Sequence, residues 1–141
     1  MLYVCKILHP LNTMNRMIVA APANAGPEKG FGAWVLDLHR MAKQIGVSQE
    51  VYADEETQQQ MQAVLARTPV SVERTFRTVH HWTLDVGLIG EVTPDDLLVV
   101  VSARAATLSY DNALDRIPRQ LARQFEKVSF IILYPEQKAV E

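Results

Sequence analysis

Residues 97–101 read LLVVV, an unbroken apolar run that follows directly on Asp95-Asp96. A strand with one wet face alternates apolar and polar side chains. A strand that is apolar at every position is covered on both faces, as at the centre of a parallel sheet. Parallel neighbours need long crossover connections, usually helices. The run therefore reads as a central strand of a parallel sheet, the kind found in α/β chains.

The rest of the pattern agrees with that frame. Residues 17–21 (MIVAA) form a second short apolar run, broken by Pro22 and followed by Gly26-Pro27. Phe31, Trp34, Val35, Leu38, Met41, Ala42 and Ile45 then recur every three or four residues, which puts them on one stripe of a helix. Gly46 is the expected closing residue. Residues 47–53 read as a strand, and Asp54 as the N-cap of a helix through Arg67 with Met61, Val64 and Leu65 inward. Thr68-Pro69 ends it. Residues 70–79 alternate imperfectly around Glu73, Arg74 and Arg77, as an edge strand would. A short helix is expected over 82–92 with Val86, Ile89 and Val92 inward, and Thr93-Pro94-Asp95-Asp96 is turn chemistry. A loop over 104–113 leads to a helix from near Asp115, with Pro118 in its first turn and Ile117, Leu121, Ala122 and Phe125 inward. Residues 128–134 are the last strand. This alternation predicts a five-stranded, mostly parallel, doubly wound sheet with helices on both faces over residues 15–138. Residues 1–14 are an N-terminal arm, or an extra strand at 2–8.

Composition narrows the function classes. The 141 residues suit one domain, and 14 Lys+Arg against 16 Asp+Glu give a net charge of −2. Nucleic-acid binders normally carry a basic surplus, so none is expected as a partner. Cys5 is the single cysteine, which excludes an internal disulfide and points to a reducing compartment. No stretch approaches the roughly 18–20 apolar residues that cross a bilayer. Residues 1–10 lack the apolar core of a secretory signal. A soluble, cytosolic domain is the expectation.

In an open α/β sheet, ligands bind beyond the carboxyl ends of the strands where the strand order reverses. If the strands at 17–21 and 97–101 are neighbours, that crevice is built from residues 22–27 and 102–113. A phosphate cradle there would need glycines, because only a backbone without Cβ lets the amides approach closely. The six glycines are Gly26, Gly30, Gly32, Gly46, Gly87 and Gly90, so the later loop holds none. It offers Ser102, Arg104, Thr107, Ser109, Tyr110, Asp111 and Asn112 instead. A hydroxyl-rich loop with one Arg suits an anion or a ribose, and equally suits capping of the next helix. For an adenine nucleotide the candidate contacts are Ala21, Pro22 and Asn24 on one side and Ser102, Arg104 and Ser109 on the other.

Catalytic and metal patterns are weak. His80-His81 is a tandem pair whose side chains diverge, His39 falls at the edge of the helical stripe, and Cys5 with His9 lacks a further ligand nearby. Asp95-Asp96 reads as a turn. No catalytic residue and no metal is assigned, and an enzyme is not expected. Arg116, Arg119, Arg123 and Lys127 share a helix face that is either solvated, opposite Asp115 and Glu126, or a docking face for an acidic partner or an anionic membrane surface.

The stretches RMIVAAPANAGPEKGFGAWVLDL (16–38), YADEET (52–57) and DDLLVVVSARAATLSYDNALDRIPRQLARQFEKVSFIILYPEQ (95–137) resemble the universal stress protein fold. They are most similar to the cytosolic universal-stress-like domain at the C-terminus of bacterial sodium/proton (Kef-type) antiporters. The pointers to the antiporter form are Ser102-Ala103-Arg104, Ser109-Tyr110, Ile117-Pro118 and Tyr134-Pro135-Glu136-Gln137. The resemblance implies a flavodoxin-like sheet and a non-catalytic regulatory or assembly domain on the cytoplasmic face of the inner membrane. It implies a transmembrane antiporter part as partner and an adenine nucleotide as candidate ligand. A homodimer through the last strand is also implied, with Phe130, Ile132 and Tyr134 as its pairing residues; a buried core strand explains the same run. Nucleotide-binding members carry an Asp after the first strand and a G-x2-G-x9-G-S/T loop after the fourth. Here Pro22 stands near the first position and no glycine in the second, so those binding residues do not transfer one by one. The alternative is a free-standing adenine-nucleotide-binding universal stress protein. A small hydrolase or transferase, the third reading, lacks a recognisable nucleophile or base.

Overall fold

The computed structural model describes residues 2–22, 30–79, 92–102 and 127–135. In chain order the described elements are β1 (Leu2–Lys6), a 3-10 turn (Leu11–Thr13), β2 (Arg16–Ala20), α1 (Phe31–Ile45), β3 (Ser48–Ala53), α2 (Glu55–Leu65), β4 (Arg74–Thr78), β5 (Asp96–Val101) and β6 (Ser129–Tyr134). The strands form one sheet in the order β1-β6-β5-β2-β3-β4. Neighbours are parallel except β1 and β6, which pair antiparallel with Val4 opposite Ile132. The α/β class holds; among the described residues the sheet has six strands, the five expected and the extra strand that was one alternative for residues 2–8. The sixth is β1: Leu2 and Val4 alternate with Tyr3 and Cys5 against a partner more than 120 residues away, so nothing local announces the pairing. The expected helices at 82–92 and beyond 115 lie outside the described residues.

The predicted central strand is central. All six residues of β5 are buried, between β2 and β6. Odd-numbered side chains of the middle strands (Met17, Val19, Val51, Leu97, Val99, Ile131, Leu133) join Phe31, Trp34, Val35, Leu38 and Ala42 of α1 and Met61 of α2 in one core. Even-numbered ones (Ile18, Tyr52, Leu98, Val100, Phe130, Ile132) build a second core on the opposite face. Period-two alternation across the sheet thus divides the apolar set between two cores.

Local chemistry explains the element ends. α1 stops where Gly46 takes φ 84°, and its N–H closes on the Ala42 carbonyl at 2.9 Å; a left-handed residue there favours glycine. Asp54 caps α2 by accepting from the Thr57 N–H at 2.7 Å. The helix ends at Leu65 rather than Arg67, and Arg67 and Thr68 close a tighter turn onto the Val64 and Leu65 carbonyls. The strand expected at 70–79 is shorter, 74–78, and stands at the sheet edge as its charge suggested.

Candidate functional site

β2 and β5 are neighbours in register, Arg16 beside Asp96 and Ala20 beside Val100. The strand after β2 lies on one side of that pair and the strand after β5 on the other, so the order reverses between them. The Ala21 N–H continues the ladder to the Tyr52 carbonyl of β3 at 3.0 Å, and the Ser102 N–H the ladder to the Leu133 carbonyl of β6 at 2.8 Å. In sheets of this kind ligands are held beyond the carboxyl ends of the strands where the order reverses. Ala21, Pro22 and Ser102 are buried at those ends of β2 and β5. Of the residues expected to contact a nucleotide, these three are brought together; Asn24, Arg104 and Ser109 lie outside the described residues. Phe130 and Ile132 are buried and Tyr134 is half-buried on β6, a strand hydrogen-bonded to β1 on one side and β5 on the other.

A second constellation was missed in the sequence. At the amino ends of the strands, Arg16 grips Asp96 with two prongs, Nε to Oδ1 at 3.0 Å and Nη2 to Oδ2 at 3.1 Å. Its Nη1 donates to Glu50 Oε2 at 2.6 Å. Glu50 Oε1 accepts from the Tyr52 hydroxyl at 2.7 Å and from Arg77 Nε at 2.5 Å. Asp96 also accepts from the Thr93 N–H at 2.9 Å, which makes the Thr93–Asp96 turn part of the network. The hydrogen bond to Asp96, above all, raises the Arg16 pKa against the effect of burial. Burial alone would raise the Glu50 pKa, but the bonds from Tyr52 and Arg77 and the charges of Arg16 and Arg77 bring it below the ordinary value. Burial, helped by Glu50, pushes the Tyr52 hydroxyl up to about 12. The two guanidinium groups and the two carboxylates neutralise each other across β2, β3, β4 and β5, from the amino ends of β2 and β5 at Arg16 and Asp96 to Arg77, level with Ala20. The signal that would have found the pair is the placement of Arg16 and Asp96 immediately before their apolar runs.

His39 is a correction too. It is 2% exposed, well inside the stripe rather than at its edge. Nε2 lies 2.8 Å from the Val70 carbonyl and Nδ1 2.7 Å from Arg74 Nη2. A carbonyl only accepts and a guanidinium only donates, so the hydrogen sits on Nε2 and Nδ1 accepts. Arg74 Nε donates in turn to Gln49 Oε1 at 2.8 Å, and Gln49 Nε2 to the Leu38 carbonyl at 3.0 Å. Burial lowers the Arg74 pKa. This relay ties α1, β3 and β4 together. Beside it an open cleft of about 280 Å³ runs between the end of α1 and residues 71–73, with Lys43, Ser48, Ser71 and Glu73 among its walls.

Among the described residues no three His, Cys, Asp or Glu side chains gather as metal ligands do, and no helix is long and apolar enough to cross a membrane. Compared with protein-family models, curated proteins and solved structures, the chain matches none.

Proposed function

We propose that this chain is a non-catalytic regulatory domain of a monovalent cation/proton antiporter that senses an adenine nucleotide in the crevice between β2 and β5. The observation that carries the sensing role is the reversal of strand order at that point, with β3 beside β2 on one side and β6 beside β5 on the other. Small side chains at 21 and 102 leave room for a base or ribose, and the hydroxyl of Ser102 supplies a polar contact. The charged side chains of Arg16, Glu50, Arg77 and Asp96 are spent on one another, which favours a structural use for them over a catalytic one. The antiporter assignment rests on the sequence resemblance over 16–38, 52–57 and 95–137.

A thermal-shift titration with ATP, ADP, AMP, cyclic dinucleotides and NAD tests the sensing role. A ligand at 100 times its dissociation constant adds about 2.7 kcal/mol, a shift on the order of 8–13 °C at this size. A saturable shift with one nucleotide, lost in Arg104→Ala and Ser102→Leu, is the expected result. No shift with any of them removes the sensing role. For the antiporter part, a coding frame that continues upstream into several apolar spans is expected, and a stop codon there removes it.

A further inference from the structure

The two outer strands of the sheet are chemically unlike. β4 reads RTFRT directly after Glu73, and charge of that density keeps an edge from pairing with another sheet. β1 reads LYVCK, and its one charge is drawn aside, with the Lys6 ammonium 6.0 Å from the centroid of the Phe130 ring. Among the described residues, the exposed large apolar side chains are Leu2 (52%), Val4 (44%), Ile7 (41%), Leu8 (44%) and Val70 (38%). All but Val70 sit on β1 or directly after it. Cys5 is exposed as well. A long apolar edge of this kind is a template for another strand.

The direction of its outward groups follows from one bond. The Leu8 N–H donates to Ser129 Oγ at 2.9 Å, on the β6 side. Amides alternate along an extended chain, so those of Cys5 and Ile7 face outward. We propose that a second copy of this chain occupies the edge, β1 against β1, antiparallel about a two-fold axis at Cys5. The outward groups of an antiparallel edge are complementary to themselves under such an axis, which a foreign strand would have to match by chance. Centring on Cys5 sets Leu2 against Leu8 of the second copy and Tyr3 against Ile7, and it keeps the two Lys6 side chains apart, each facing Val4. Each exposed apolar side chain of the segment then meets an apolar neighbour or the alkyl stem of a lysine. Four half-exposed side chains on each copy, with the two backbone edges, remove on the order of 1,000 Å² from water, the lower limit for a specific interface. The dimer is therefore a weak, concentration-dependent one. The proposal is independent of the nucleotide crevice, which lies between β2 and β5 in the interior of the sheet.

Sedimentation velocity of the 141-residue chain, from low micromolar to several hundred micromolar, reads the association. The mass is expected to rise from that of one copy toward that of two. Cys5→Asp places two carboxylates against each other and Ile7→Asp buries one in the seam, so each weakens association by about tenfold or more. Cys5→Ser leaves it unchanged. Circular dichroism and melting of each variant verify the monomer fold, which these exposed positions do not support. In the dimeric wild type, mild oxidation should cross-link Cys5 to Cys5, because paired residues about 5.5 Å apart fall within disulfide range. A chain that stays monomeric throughout overturns the proposal. So does a dimer indifferent to both Asp variants, or one that does not cross-link through Cys5.

Discussion

Replacing Arg16 by Met keeps the length of the side chain and removes its charge. Asp96, whose side chain is 3% exposed, then loses both prongs of its partner and, among the described residues, keeps the Thr93 N–H. Glu50 loses one cation but retains Arg77 and the Tyr52 hydroxyl. Breaking a buried pair by deleting one member costs about 3–5 kcal/mol, because a buried charge is left uncompensated. The Arg16 side chain is 32% exposed, so water reaches the gap; discounted for that screening, the expected loss is about 2–3 kcal/mol. At this chain length 1 kcal/mol moves the melting midpoint by about 3–5 °C, so the midpoint should fall by roughly 6–15 °C. Urea denaturation followed by circular dichroism gives the free energy directly. The double variant Arg16→Met/Asp96→Asn discharges the orphaned carboxylate and should recover at least about 1 kcal/mol relative to additive losses. A single variant within about 0.5 kcal/mol of wild type, or strictly additive losses in the double variant, would refute the claim that the pair locks β2 to β5.

Alkaline titration followed by the ultraviolet absorbance of tyrosinate should show Tyr3 and Tyr52 ionising near 12, held back by burial first and then by Asp37 and Glu50 respectively; the late phase should shrink in Tyr52→Phe. Because the folded value of Tyr52 lies above the ordinary 10.0, its contribution to stability is complete below that value and is lost as pH rises toward 12. Glu50 behaves oppositely. Its folded pKa is lowered, so its contribution is present above the unfolded value of about 4.3 and is lost as pH falls through the folded one. Glu50→Gln should therefore flatten the acid limb of a stability–pH curve, and an unchanged limb counts against the role given to Glu50. Gly46→Ala meets no atom within 4 Å but forces a side chain into φ 84°, so chemical denaturation should register a loss of about 1 kcal/mol from backbone strain alone.

The local elements were legible because their causes are local. Apolar spacing from Phe31 to Ile45 and the glycine after it specify α1 and its end, Asp54 specifies the start of α2, and an unbroken LLVVV specifies a strand dry on both faces. The strand ends at the switch point were legible for the same reason, as Ala21 closes one apolar run and Pro22 and Ser102 directly follow the two. Pairing across the chain was not. For residues 2–8 the sequence left an arm and an extra strand both open; β1 belongs to the sheet because β6 offers it an edge. Arg16 and Asp96 are 80 residues apart, and their grip exists only because β2 and β5 pair in a register that sets them side by side. His39 looks like a boundary residue in the helical stripe, yet it is buried because Val70 and Arg74 satisfy both of its nitrogens. The order of residues along the chain decided which faces are dry and where helices begin and end, since those depend on neighbours within a turn or two. Strand order, the charge network and the exposed β1 edge were decided by tertiary structure, because hydrogen bonding between strands brings together groups that share no local pattern.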